Sequence, residues 1–138
     1  MRSKTRFSHQ TQVPRDDGCG VVVLQMLTGL GYEDVASRIH WGGRAVHYTT
    51  WADLSAVLRG LGISIGEPIA ATEWNSIEGV AIVHVEPDHF VLYDANQGLF
   101  YDPADRDGPT TTTDLVPRSY LPVPMPSVLD GISGARTA

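Results

Sequence analysis

The sequence predicts an α+β fold, with N-terminal helices packed on a C-terminal antiparallel β-sheet. Two observations carry this expectation. Between residues 18 and 62 the apolar residues form one continuous run and then recur at spacings of three and four, with glycines at the breaks. From residue 80 to 101 they form short β-branched and aromatic runs separated by turn formers. No internal repeat occurs. The 138 residues suffice for one domain with a modest core. We expect that domain over 1–126, followed by a flexible C-terminal tail over 127–138.

Composition narrows the function classes. Apolar residues make up 42 % of the chain, enough to fold. A net charge of −6 disfavours a nucleic-acid or anionic-membrane binder, which needs a basic face. Arg2, Lys4, Arg6 and Arg15 read as flexible N-terminal charge. The single cysteine excludes an internal disulfide and any multi-cysteine zinc site. Residues 1–7 are charged, but no apolar stretch of the signal-peptide type follows them. No window approaches the ~18–20 apolar residues of a membrane span. The expectation is a cytoplasmic protein, or one exported without a Sec signal peptide.

The elements follow in order. Residues 1–13 are polar and extended, and Pro14 leads into a turn at 15–18. Asp16 and Asp17 are turn and cap formers, and Gly18 bends the backbone. A first helix runs from about Gly18 to Leu30, buried nearly all round, with Gly29 and Gly31 as its stop. A short second helix covers about 33–40, with Glu33 and Asp34 at its positive end. Residues 41–48 read as a loop. Thr50 caps a third helix, on which Trp51, Leu54, Val57, Leu58 and Leu61 share a face. Ile63-Ser64-Ile65 reads as a short strand, and 72–76 as a turn of helix. Val80 to Val85 is a central strand, His89 to Tyr93 the next, and Leu99 to Tyr101 the returning one. Tyr120 to Val123 reads as an edge strand.

Cys19 stands in the first turn of the first helix. There the unpaired N–H groups and the helix dipole stabilise a thiolate, which suits a nucleophile. The plainer alternative is a small buried hydrophobe. A nucleophile needs a base and the base an orienting partner. His89 opens a strand directly after a turn, and Asp102 closes the next strand. A two-residue hairpin loop at Ala95-Asn96 sets Asp102 opposite His89. A loop at Asn96-Gln97 sets it opposite Val91, still on the His89 face. Asp94 is the reserve orienter, on the other face. His84 reads as a partly buried structural histidine, and His9, His40 and His47 have no evident partner. No pair has metal-ligand spacing, so we expect no metal and no cofactor. The Cys19 N–H is one oxyanion donor, and Gln12 or Gln10 supplies a second through its side-chain amide. Trp41, Trp51 and Trp74 are candidates for lining a cleft, although Trp51 suits the core.

Gln12, then Asp17-Gly18-Cys19-Gly20 and an apolar helix, then His89-Phe90-Val91-Leu92-Tyr93 and Asp102-Pro103-Ala104, resemble the papain-like cysteine peptidases. The resemblance is closest to the bacterial double-glycine leader peptidases, which process bacteriocins, and covers about residues 10–105. It implies a papain-like fold, with Cys19 as nucleophile, His89 as base, Asp102 as orienter and Gln12 as oxyanion donor. It also implies a peptide or protein substrate and hydrolysis through a thioester. The glutamine-to-cysteine interval is one residue longer than is usual in that family, so Gln10 stays open beside Gln12. No transporter segment follows, which predicts a stand-alone domain whose specificity need not be for double glycine. The same three residues serve deamidases, transglutaminases and acyltransferases, including secreted effectors or toxins. An inactive binding module on the same fold is the alternative outside enzymes.

Overall fold

The computed structural model describes residues 6–11, 18–43 and 49–124. The tail expected over 127–138 lies outside the described residues. Among the described residues the architecture is α+β: three helices, α1 (Cys19–Thr28), α2 (Tyr32–Ser37) and α3 (Trp51–Gly60), precede five strands. These are β1 (Ile69–Ala70), β2 (Val80–Val85), β3 (His89–Asp94), β4 (Leu99–Tyr101) and β5 (Pro117–Pro122). They form one antiparallel sheet in the order β1-β5-β2-β3-β4.

Helix α1 is the centre of the core. Val21, Val22, Val23, Leu24, Met26 and Leu27 are all buried, and Cys19 and Gln25 alone in the helix reach the surface. Each such aliphatic side chain contributes about 1.5–3 kcal/mol by leaving water. They pack on one sheet face made by Val80, Ile82, Phe90, Leu92, Tyr101 and Leu121, with Leu54 and Leu58 of α3. The opposite face of the sheet buries Ala81, Val83, Val85 and Val91 beneath Ile77, Trp74 and Leu115. A sheet covered on both faces explains why β2 is almost entirely apolar rather than alternating.

Helix α1 passes close to the start of α3. A Cβ on Gly20 would collide with Thr49 Oγ1 and lie 2.9 Å from Thr49 Cβ and 3.1 Å from Leu54 Cδ2. Gly20→Ala should therefore destabilise the protein by about 1–3 kcal/mol in urea unfolding, from overpacking. At an open helical site the same change would stabilise by about 1 kcal/mol, so the sign of the effect decides.

The ends of α3 follow local rules. Thr50 and Asp53 form a capping box: the Thr50 side chain accepts from the Asp53 N–H, and the Asp53 carboxylate accepts from the Thr50 N–H. At the other end Gly62 takes φ 84°, its N–H donates to Arg59 O, and the Ile63 N–H donates to Leu58 O. This is a Schellman stop, with buried Ile63 as its apolar anchor. Residues 63–65 are thus not the strand that their composition predicts. Helix α2 ends earlier than expected, at Ser37, and the helical turn expected at 72–76 is a 3-10 turn over Trp74–Ser76.

Two further expectations change. Strand β5 is interior, between β1 and β2, rather than an edge. Its prolines fall at its two ends, where their missing N–H groups interrupt the ladder least. Strand β1, only two residues long, takes the edge. The hairpin after β3 has a four-residue loop, because Asp94 pairs with Leu99. The Asp94 carboxylate accepts the N–H groups of Asn96 and Gln97, and Gly98 takes φ 66°. The loop stays even in length, and Leu92 pairs with Tyr101. Extended by one residue, this register sets Asp102 against Val91. No helix among the described residues is long and apolar enough to cross a membrane.

Candidate active site

Cys19 is the first residue of α1. Gly18 before it takes the left-handed conformation, φ 83°, and its carbonyl accepts the Val22 N–H at 2.9 Å. That conformation suits only glycine readily. The Tyr32 hydroxyl also occupies the space a Gly18 side chain would need, 2.7 Å from an ideal Cβ. The bend leaves the thiol partly exposed at the positive end of the helix, rather than buried as a plain core residue.

His89 opens β3 opposite Val85, at the rim of the sheet. Its Nε2 meets Asp102 Oδ1 at 2.6 Å. Asp102 follows the end of β4, and the same oxygen accepts the Ala104 N–H at 2.9 Å. The Cys19 side chain lies near enough to the His89 ring to raise its pKa. With Nε2 taken by the carboxylate, Nδ1 is the nitrogen that remains for sulfur. Burial works against a charge on this ring, but the hydrogen bonds to Asp102 and Cys19 and their negative charges outweigh it, raising its pKa to about 9. For Asp102, burial pushes the other way and is likewise overcome. The His89 and Ala104 hydrogen bonds, with the charges of His89 and His9, hold its carboxyl below the ordinary value. At neutral pH the site therefore holds an imidazolium between two anion-forming groups.

The neighbouring histidine is different. His84 Nε2 meets Asp88 Oδ1 at 2.7 Å, but Asp88 stands open to water, which weakens its pull. Burial, ahead of the charges of Arg118 and His89, lowers the His84 pKa. His84 thus adds no positive charge beside His89 near neutral pH.

The structure brings Cys19, His89 and Asp102 together. Gln12 lies outside the described residues, and Gln10 is exposed. Asp94 is fully buried at the hairpin, where it holds the turn and lies 3.7 Å from Arg6 Nε. It does not contact His89. Trp51 packs edge-on against Phe90 and donates to Ser119 Oγ, as a core residue does. Trp74 belongs with Tyr93 and Phe100 on the far sheet face, away from the α1 side. Trp41 Nε1 donates to Ala36 O. His47 lies outside the described residues. Among those described, no group of three metal-ligating side chains exists.

His9 is a correction. It has a partner, because its Nε2 donates to Asp105 O at 2.6 Å, and its ring stacks over Tyr101. Sequence reasoning also missed Tyr32 beside Gly18. Neither had a local signal, since each acts on chain far from it in sequence. No family model, curated protein or solved structure matches this chain.

Proposed function

We propose that this protein is a papain-like cysteine hydrolase that cleaves a peptide or amide bond. One observation carries the reading: a single imidazole set beside a helix-terminal thiol and hydrogen-bonded to a partly buried carboxylate, with its pKa raised to about 9. A structural histidine has no need of both partners. The order of parts also supports the papain-like assignment. The nucleophile begins the central helix, the base opens a strand of the packed sheet, and the acid ends the next strand.

The imidazolium already holds the proton given up by Cys19 on His89 Nδ1, and the thiolate of this ion pair attacks the substrate carbonyl carbon. The oxygen becomes an oxyanion at the N-terminus of α1, where the Cys19 N–H donates to it. His89 returns its proton to the leaving nitrogen as the C–N bond breaks, leaving a thioester. His89 then removes a proton from water, whose oxygen attacks the thioester. The C–S bond breaks, the acid leaves and the thiol re-forms. Asp102 holds the ring orientation throughout and stays ionised.

Alkylation with iodoacetamide tests this reading without a known substrate. The wild-type thiol should react at least about tenfold faster at neutral pH than the thiol of His89→Ala, because the imidazolium stabilises the thiolate. Equal rates in the two proteins would mark Cys19 as a structural thiol and turn the reading toward a binding module.

A further inference from the structure

The chain that leads into the nucleophile also grips the turn that carries the acid. Residues 6–11 lie along β4 and the segment after it. The Arg6 N–H donates to Gln97 Oε1 at 3.1 Å, and Phe7 is buried edge-on against Tyr101. His9 Nε2 donates to Asp105 O at 2.6 Å, and Thr11 Oγ1 donates to Pro103 O at 2.9 Å. The turn itself is closed by the Asp105 N–H on Asp102 O at 2.9 Å. Its Ala104 N–H is the group that fixes the Asp102 carboxylate. Pro103 and Asp105 flank Ala104, so both neighbours of that N–H have their carbonyls held by the arm. A short exposed turn would otherwise sample several arrangements.

We propose that His9 and Thr11 are positioning residues for Asp102, strapping its turn through the Pro103 and Asp105 carbonyls so that the carboxylate meets His89. The inference rests on the catalytic reading of the Cys19, His89 and Asp102 group. It gives the N-terminal arm a task distinct from supplying an oxyanion donor. The His9 ring must carry its proton on Nε2 to donate to a carbonyl. Its Nδ1 is buried without a hydrogen-bond partner among the described residues. Among the described residues the Asp105 carbonyl is the one hydrogen-bond partner of this ring, beside its stacking on Tyr101.

The test follows the His89 ring by NMR titration, in wild type and in His9→Ala, His9→Gln, Thr11→Val and Asp102→Ala. In His9→Ala the His89 midpoint should fall by about one pH unit, in the direction set by loss of Asp102. Loss of any positive charge at position 9 would by itself raise that midpoint, so the sign separates positioning from simple electrostatics. His9→Gln should restore the midpoint, since its amide N–H can reach Asp105 O. Adding His9→Ala to Asp102→Ala should cause no further fall. An unchanged midpoint in His9→Ala, with only a lower melting temperature, would overturn the proposal. If His9→Ala fails to fold, Thr11→Val decides by the same criterion, because it removes one hydroxyl from an exposed residue. Failure of the catalytic reading looks different: the His89 midpoint would respond to the arm, while Cys19 alkylation ignored His89→Ala.

Discussion

Cys19→Ala and His89→Ala are each expected to remove amide cleavage, by about 10⁴-fold or more in kcat, with the fold retained. Members of a nucleophile–base pair act as one unit, so losing either costs about as much as losing both. The fold should survive for local reasons. Cys19 is partly exposed in the first turn of α1, and alanine is the best helix former. His89 stands at the start of β3, outside the two apolar clusters of the core. The measurement is mass-spectrometric detection of cleaved products from a peptide mixture, with urea unfolding of each variant alongside. Cleavage that persists in Cys19→Ala would assign the reaction to other residues.

Asp102→Ala should weaken turnover by about 10²-fold, the cost of a catalytic group left slightly misplaced. It should also change the pH dependence. In wild type the imidazolium survives until pH reaches about 9, so activity should fall as pH rises through that value. Without the carboxylate, the high-pH limb should move down toward 6.5, the ordinary value for histidine. Stability follows the same proton. The folded pKa of His89 lies above its unfolded value, so its contribution is fully present below pH 6.5 and is lost as pH rises to about 9. Denaturant titrations should show that loss in wild type and a much smaller one in Asp102→Ala. Asp94 supplies the control. It caps the hairpin at the opposite end of β3 from His89, so Asp94→Ala should lower stability and leave the high-pH limb in place. The reverse pattern would transfer the orienting role to Asp94.

Much of this site was legible because its parts obey short-range rules. A glycine before a long apolar run marks where α1 begins, and that alone puts Cys19 at a helix N-terminus. The Thr50–Asp53 capping box lies within four residues and starts α3 where expected. The relation of His89 to Asp102 needed only the parity of a hairpin loop. A four-residue loop preserves what a two-residue loop predicts, because strand faces repeat every two residues. Ile63 shows the limit of such reading. A β-branched pair after glycine looks like a strand, whereas helix-end hydrogen bonding claimed the residue first.

The sequence by itself determined the α+β order, the positions of the capped helix and the central strands, and the candidate identity of Cys19, His89 and Asp102. Each rests on patterns spanning at most about a dozen residues. Only the tertiary structure decided that β5 is interior, that a two-residue β1 forms the edge, and that His9 and Thr11 hold the turn after Asp102. Those contacts join residues that lie more than 30 positions apart. His9 and Thr11 of the arm donate to backbone carbonyls of the turn, and a carbonyl is present at every residue. No side-chain pattern could mark which of them would be bound, so only the packed chain selects them.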